Sequence, residues 1–214
     1  MYAEFMTHHV APIAGRKSAY VARNRAALIK SAQEVLAKRG PAATVDEIAE
    51  HAGIAVSTIY KHLPSKDELF EIAFVTGMHE WEEWIQSSIA DVTDPIERLI
   101  FPMRLMTQLP QTHPLFANMI ARYPIGFLKA VPMANFGLTE AVHLLVTSQQ
   151  VNESHLEVRI KNVISVFAIE TINICMNGPQ KNSVDTISIA VEMLGLKTEM
   201  VADVMQRPFP FVNN

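Results

Sequence analysis

Val56, Ser57, Tyr60 and Lys61 lie close together on the outward side of one short helical stretch, whose other side carries Ile59 and Leu63. These side chains suit the edge of a nucleic-acid duplex. Hydroxyls bond phosphate oxygens or base edges, a valine methyl can touch a thymine methyl, and lysine pairs with phosphate. Lys66 falls in the first turn of the next helix, near the positive end of its peptide dipoles, where a phosphate is favoured. Other chemistry is thinly represented. There is no glycine-rich phosphate loop, Gly-x-Ser-x-Gly elbow or His-Glu-x-x-His stretch. The eight histidines do not cluster at metal spacing, and a single cysteine cannot build a thiolate zinc site. No nucleophile–base pair or close pair of carboxylates stands out, so neither an enzyme nor a metal or cofactor is expected.

The elements that must hold this surface are legible nearby. Thr44 with Glu47 three residues later has capping-box spacing. Val45, Ile48, Ala49 and Ala52 recur at helical spacing, and Gly53 follows where a left-handed cap wants glycine. Ile54 anchors the turn, and the second helix begins near Val56. Two short helices joined by a turn, the second presenting polar and cationic groups, is the geometry that enters a major groove. The plainer reading of the same pair is as part of an ordinary helical core.

The stretch from Gly53 to Phe70, with its Ser57-Thr-Ile-Tyr-Lys-His and Pro64-Ser-Lys-Asp-Glu-Leu-Phe segments, resembles the signature of the TetR family of bacterial transcriptional repressors. Residues 25–40 resemble that family's first helix, and the likeness covers roughly residues 22–74. Two positions depart from the pattern. Ala55 stands where the family often has a capping serine, a loss usually of about 1 kcal/mol, and Leu63 stands where an aromatic is common. The resemblance implies DNA contacts at Thr44, Val56, Ser57, Thr58, Tyr60, Lys61, His62 and Lys66. It also implies a homodimer on an operator, with a helical body that takes a small-molecule effector.

Bulk properties fit that picture. The chain has 214 residues, 49% of them hydrophobic, and a mean hydropathy of +0.14. That apolar surplus asks for an oligomer interface or an internal pocket. No run approaches the ~18 apolar residues of a membrane span, and no signal peptide is evident, so a cytoplasmic protein is expected. Net charge is −4, but residues 1–62 hold eight basic and five acidic residues, net +3, while the remainder holds ten and seventeen, net −7. A basic end on an acidic body matches a DNA-facing head.

Periodicity predicts an all-α chain in two domains: a mobile arm over 1–20, a helix-turn-helix head over 21–66, and a helical ligand-binding and dimerisation body over 67–214. Helices are expected at 22–39, through the motif, at 65–89, from 95 to about 108, at 115–122, near 125–130, at about 135–149, at 155–177 and at 182–194, the last of them. Gly77 is expected to loosen helix 65–89, which is also expected to be the only element joining the two domains. No sustained period-2 alternation appears, so no sheet is expected.

Between 98 and 145 the apolar residues are rich in Met and Phe, with Arg104, His113, Tyr123 and His143 interspersed. Ordinary packing explains any one of them. As a set they suit an adaptable pocket with a few polar handles. Trp84, Met106, Met119, His143 and Phe167 are the candidate ligand contacts. Helix 155–177 is apolar on two faces, as is helix 182–194, so each has a second thing to pack against; a two-fold four-helix interface is the expected partner. The functional expectation is a transcription regulator, a repressor released from its operator by an apolar or aromatic small molecule. The alternative is a helical protein-interaction module or an enzyme in which the helix pair is purely structural.

Overall fold

The computed structural model describes residues 16–60, 65–133, 137–180 and 183–208. Residues 1–15, Lys61, His62, Leu63, Phe136, Asn182 and the tail from Phe209 onward lie outside them. Among the described residues the chain is helical throughout, with no strand. The helices are α1 Arg16–Arg39, α2 Val45–Ala52, α3 Val56–Tyr60, α4 Lys66–Ser88, α5 Pro95–Leu105, α6 Leu109–Thr112, α7 Pro114–Arg122, α8 Pro124–Ala130, α9 Leu138–Thr147, α10 Leu156–Asn177, α11 Ser183–Met193 and α12 Thr198–Gln206.

Local chemistry sets most boundaries. Thr44 Oγ1 accepts from the Glu47 amide at 3.2 Å, and a Glu47 carboxylate oxygen accepts from the Thr44 amide at 3.0 Å, so the capping box closes as the spacing requires. That backbone bond, helped by Arg39 3.4 Å away, holds the Glu47 carboxyl below its ordinary range. Gly53 ends α2 at φ +66°, a conformation costly for any residue with a Cβ. Ser65 Oγ accepts from the Glu68 amide to start α4, and Asp94 accepts from two amides to start α5.

Three features differ from expectation. Helix α1 begins at Arg16, so residues 16–20 are helical rather than part of an arm; the run from Arg16 to Ala22 has no glycine or proline to stop it. Helix α12 follows the helix expected to be last. Gly195 ends α11's turn at φ +87°, but Val201 and Val204 then bury a new helical face. Arg104 fastens α12 by donating to the carbonyls of Val204 (3.0 Å) and Arg207 (2.8 Å), and Arg207 pairs with Glu97 and Asp203. Finally, Gly77 does not loosen α4: it is buried, and a Cβ there would stand 2.7 Å from the Phe116 ring. Its missing side chain is the space that seats an aromatic from α7.

Two buried clusters form the interior. One joins α1, α2, α3 and α4 to α7 and α8, and extends to Leu105, Met106, Leu109 and Ala168. The other gathers Ile89 to Met103 with α9, α10, α11 and α12. Ile164 and Phe167 of α10 pack against both. The first cluster runs without a break from the helix-turn-helix into the body, and α4 is not the sole link. Helix α7 packs along α1, and Gly40 approaches it so closely that a Cβ would lie 2.7 Å from the Arg122 carbonyl oxygen. With φ +58° as well, Gly40 is held to glycine twice over.

Candidate DNA-binding surface and body cavity

The head is fixed from beneath. Gln33 of α1 donates to the Ala73 carbonyl of α4 at 3.2 Å within the core. Ile48, Ala49 and Ile59 are buried under the turn. On the opposite side Ser57 is exposed and Tyr60 is 51% exposed. Thr44 is exposed at the start of α2. Val56 and Thr58 are half-buried, and Val56 packs partly against the core, so its methyls face outward less than α3's register suggested. Lys66 is engaged within the chain: Nζ donates to the Pro41 carbonyl at 3.0 Å and lies 5.0 Å above the Phe70 ring. A phosphate at Lys66 would share or displace the bond to Pro41. Lys61 and His62 lie outside the described residues. Thr44, Ser57 and Tyr60 are thus exposed on α2 and α3, and Lys66 is tethered to the Pro41 carbonyl.

In the body the two clusters leave a cavity of about 70 Å³ where they meet. Trp81 and Ile85 of α4, Leu99, Pro102 and Met103 of α5, Met106, Phe127, Val131, Leu138, and Ile164, Phe167 and Ala168 of α10 form its apolar wall; Arg98 and Thr171 are its polar members. Met106 and Phe167, both sequence candidates, are therefore brought together. The other three lie elsewhere. Trp84 is half-buried and stands edge-on to His113 at 5.2 Å, Met119 is fully buried in the first cluster, and His143 is exposed on α9. His113 is itself held below its ordinary range by burial.

Trp81 takes the place expected of Trp84, and helical phase explains why. Phe70, Phe74, Met78, Trp81 and Ile85 make one buried stripe along α4, three or four residues apart, and Trp84 falls beside it. Arg98 and Thr171 carried no such signal. Thr171 is 2% exposed and donates to the Phe167 carbonyl one turn back at 2.8 Å, which leaves its oxygen as an acceptor. Behind the cavity, Phe116 of α7 packs against both Trp81 (6.3 Å between ring centroids) and Phe127 (6.1 Å). The wall is thus in direct contact with α7, which meets the head at Gly40.

Cys175, further along α10, is mostly buried, and burial pushes its thiol up to about 12. The thiolate is the reacting species, so at pH 8 a thiol-specific disulfide reagent is expected to leave the native protein unmodified over minutes and to react with one thiol at once in denaturant. Rapid native labelling would contradict this environment.

Among the described residues the body is helical, with two short helices and a turn at one end. Residues 28–73 match the sequence model of the family described as bacterial regulatory proteins, tetR family. Solved structures share the fold over most of the chain. RolR (NCGL1110) in complex with resorcinol is 14% identical, with a TM-score of 0.69 over 89% of this chain and 96% of that one. A putative tetR-family transcription regulator from Shewanella sp. PV-4 is 18% identical, at 0.58 over 80% and 96%. The fatty acid degradation regulator FadR from Bacillus halodurans is 17% identical, at 0.56 over 81% and 100%. No curated protein sequence matches the chain. Residues 28–73 thus match that family's N-terminal sequence model, and over most of the chain the likeness to those solved structures is one of fold. Among the described residues no helix is long and apolar enough to cross a membrane.

Proposed function

We propose that the chain is a homodimeric, cytoplasmic repressor whose head, residues 21–66, binds an operator and whose body, residues 67–214, binds a small apolar or aromatic effector that releases it. The observation that carries this reading is the position of the cavity. It lies at the seam between two buried clusters, one of which includes the head. A molecule entering there presses on α4 through Trp81 and Ile85, and on α7 through Phe127 and Phe116. Both helices contact α1. A small displacement at the wall therefore reaches the head by two routes, and in a dimer it changes the separation of the two recognition helices. The resorcinol bound by RolR supports an aromatic class of effector.

Thr44, Val56, Ser57, Thr58, Tyr60, Lys61, His62 and Lys66 form the proposed DNA surface. Met106 and Phe167, with Trp81, Arg98 and Thr171, form the proposed effector site. Anisotropy of labelled DNA flanking the chain's own gene tests the DNA half: affinity should fall steeply with salt, about 0.9 log unit per log unit for each phosphate contacted. Salt-independent or absent binding across those flanks would favour the reading in which the helix pair is structural only.

A further inference from the structure

We infer that the effector is an acid: a compact hydrocarbon or aromatic group carrying one carboxylate or comparable anion, held by Arg98. This rests on the effector reading above and adds to it the charge of the ligand.

The cavity is apolar but for Arg98 and Thr171. Arg98 projects from the first turns of α5 and is only half-buried, which places it towards the rim. One of its nitrogens, Nη1, donates to the Val92 carbonyl at 3.0 Å and reaches towards the Ile89 carbonyl at 3.5 Å. Among the described residues no carboxylate pairs with it, and Nε and Nη2 have no acceptor. Arg39 and Arg207 each have a carboxylate partner, whereas Arg122 and Arg159, like Arg98, pair with none among the described residues; Arg98 differs in standing on the cavity wall. A guanidinium is always charged and offers a planar fork that matches a carboxylate with two parallel hydrogen bonds. One edge of Arg98 is thus anchored to the turn after α4, while its remaining donors face solvent at the rim, where an anion could exchange for water.

Size points the same way. A buried space of about 150 Å³ is what holds benzene in an apolar protein interior. At about 70 Å³ this cavity accepts a few carbon atoms before Met103 and Met106 must shift, which methionines do readily. Hydrophobic burial of so small a body gives modest affinity, so a useful effector needs a strong polar anchor. An anion at the rim on Arg98, with its hydrocarbon inside, meets both conditions. A neutral ligand would leave the guanidinium partly dehydrated without a partner, which is unfavourable.

The test is calorimetry on the full-length protein at pH 7.5 with two matched pairs, benzoate against benzamide and hexanoate against hexanamide. Quenching of tryptophan fluorescence, with Trp81 on the wall, reports occupancy. Each acid is expected to bind at least tenfold more tightly than its amide. In Arg98→Met the order should reverse, because an unpaired carboxylate is now being buried, while the amides, which no longer dehydrate a guanidinium, still bind and so show the site intact. Arg98→Lys should keep part of the preference. Equal binding of acid and amide, or a preference that survives Arg98→Met, overturns this inference and leaves the effector reading standing. If none of the four binds, both fall.

Discussion

Replacing Tyr60 and Lys61 together by alanine is expected to lower operator affinity at least about thirtyfold, since each direct contact of this kind contributes ~1–3 kcal/mol. Unfolding should hardly move. Tyr60 is half in solvent at the end of α3, above the buried Ile59 that holds the helix down. Substitutions at surface positions without structural partners usually stay within ~0.5 kcal/mol. The two losses should be separable. Lys61→Ala alone should weaken binding across all sequences and reduce the salt slope by about 1, while Tyr60→Ala should act more on preference for the operator. A double variant that still shifts its operator normally would remove α3 from the interface.

The second large effect concerns the proposed dimer. Val158, Ile169 and Met176 stand out of α10, and Ile189 out of α11, each more than half exposed. Such a concentration of large apolar groups on two adjacent helices asks for a partner. Ile164, also on α10, lines the cavity and packs against both clusters, so it reports on a different surface. The informative variant is therefore Ile169→Glu with Ile189→Glu. It should sediment as a folded monomer at micromolar concentration and lose most operator affinity, since one head alone reads only one half-site. A dimer that persists with both glutamates present would place the interface elsewhere.

How much of this was legible depended on how local each signal was. The capping box at Thr44, the glycine cap at Gly53 and the Asp94–Pro95 start are written in adjacent residues, and all three form. The start of α1 and the existence of α12 were missed because nothing adjacent marks them: α12 is held by Arg104, a hundred residues away. The cavity shows the same division. Met106 and Phe167 belong to apolar stripes and line it. Trp84 was chosen over Trp81 because a pair three residues apart does not announce which member faces inward; the stripe from Phe70 onwards does. His143 and Met119 had the right chemistry on the wrong faces, one outward and one into solid core. Tertiary proximity also overturned the idea of a single link between head and body. Gly40 against Arg122 is a contact between residues far apart in sequence, recognisable only once α1 and α7 lie side by side.

Linkage gives the account a quantitative demand. A hundredfold release from the operator requires about 2.7 kcal/mol of difference in effector affinity between the DNA-bound and free forms. The same factor must appear in reverse, because coupling between two sites is reciprocal. The most direct test is therefore one pair of titrations: the affinity of an effector that quenches Trp81, measured on the free dimer and on the dimer saturated with operator. The account predicts that operator weakens the effector by the same factor by which the effector weakens the operator. Equal effector affinity in the two titrations would contradict it, however tightly the molecule binds.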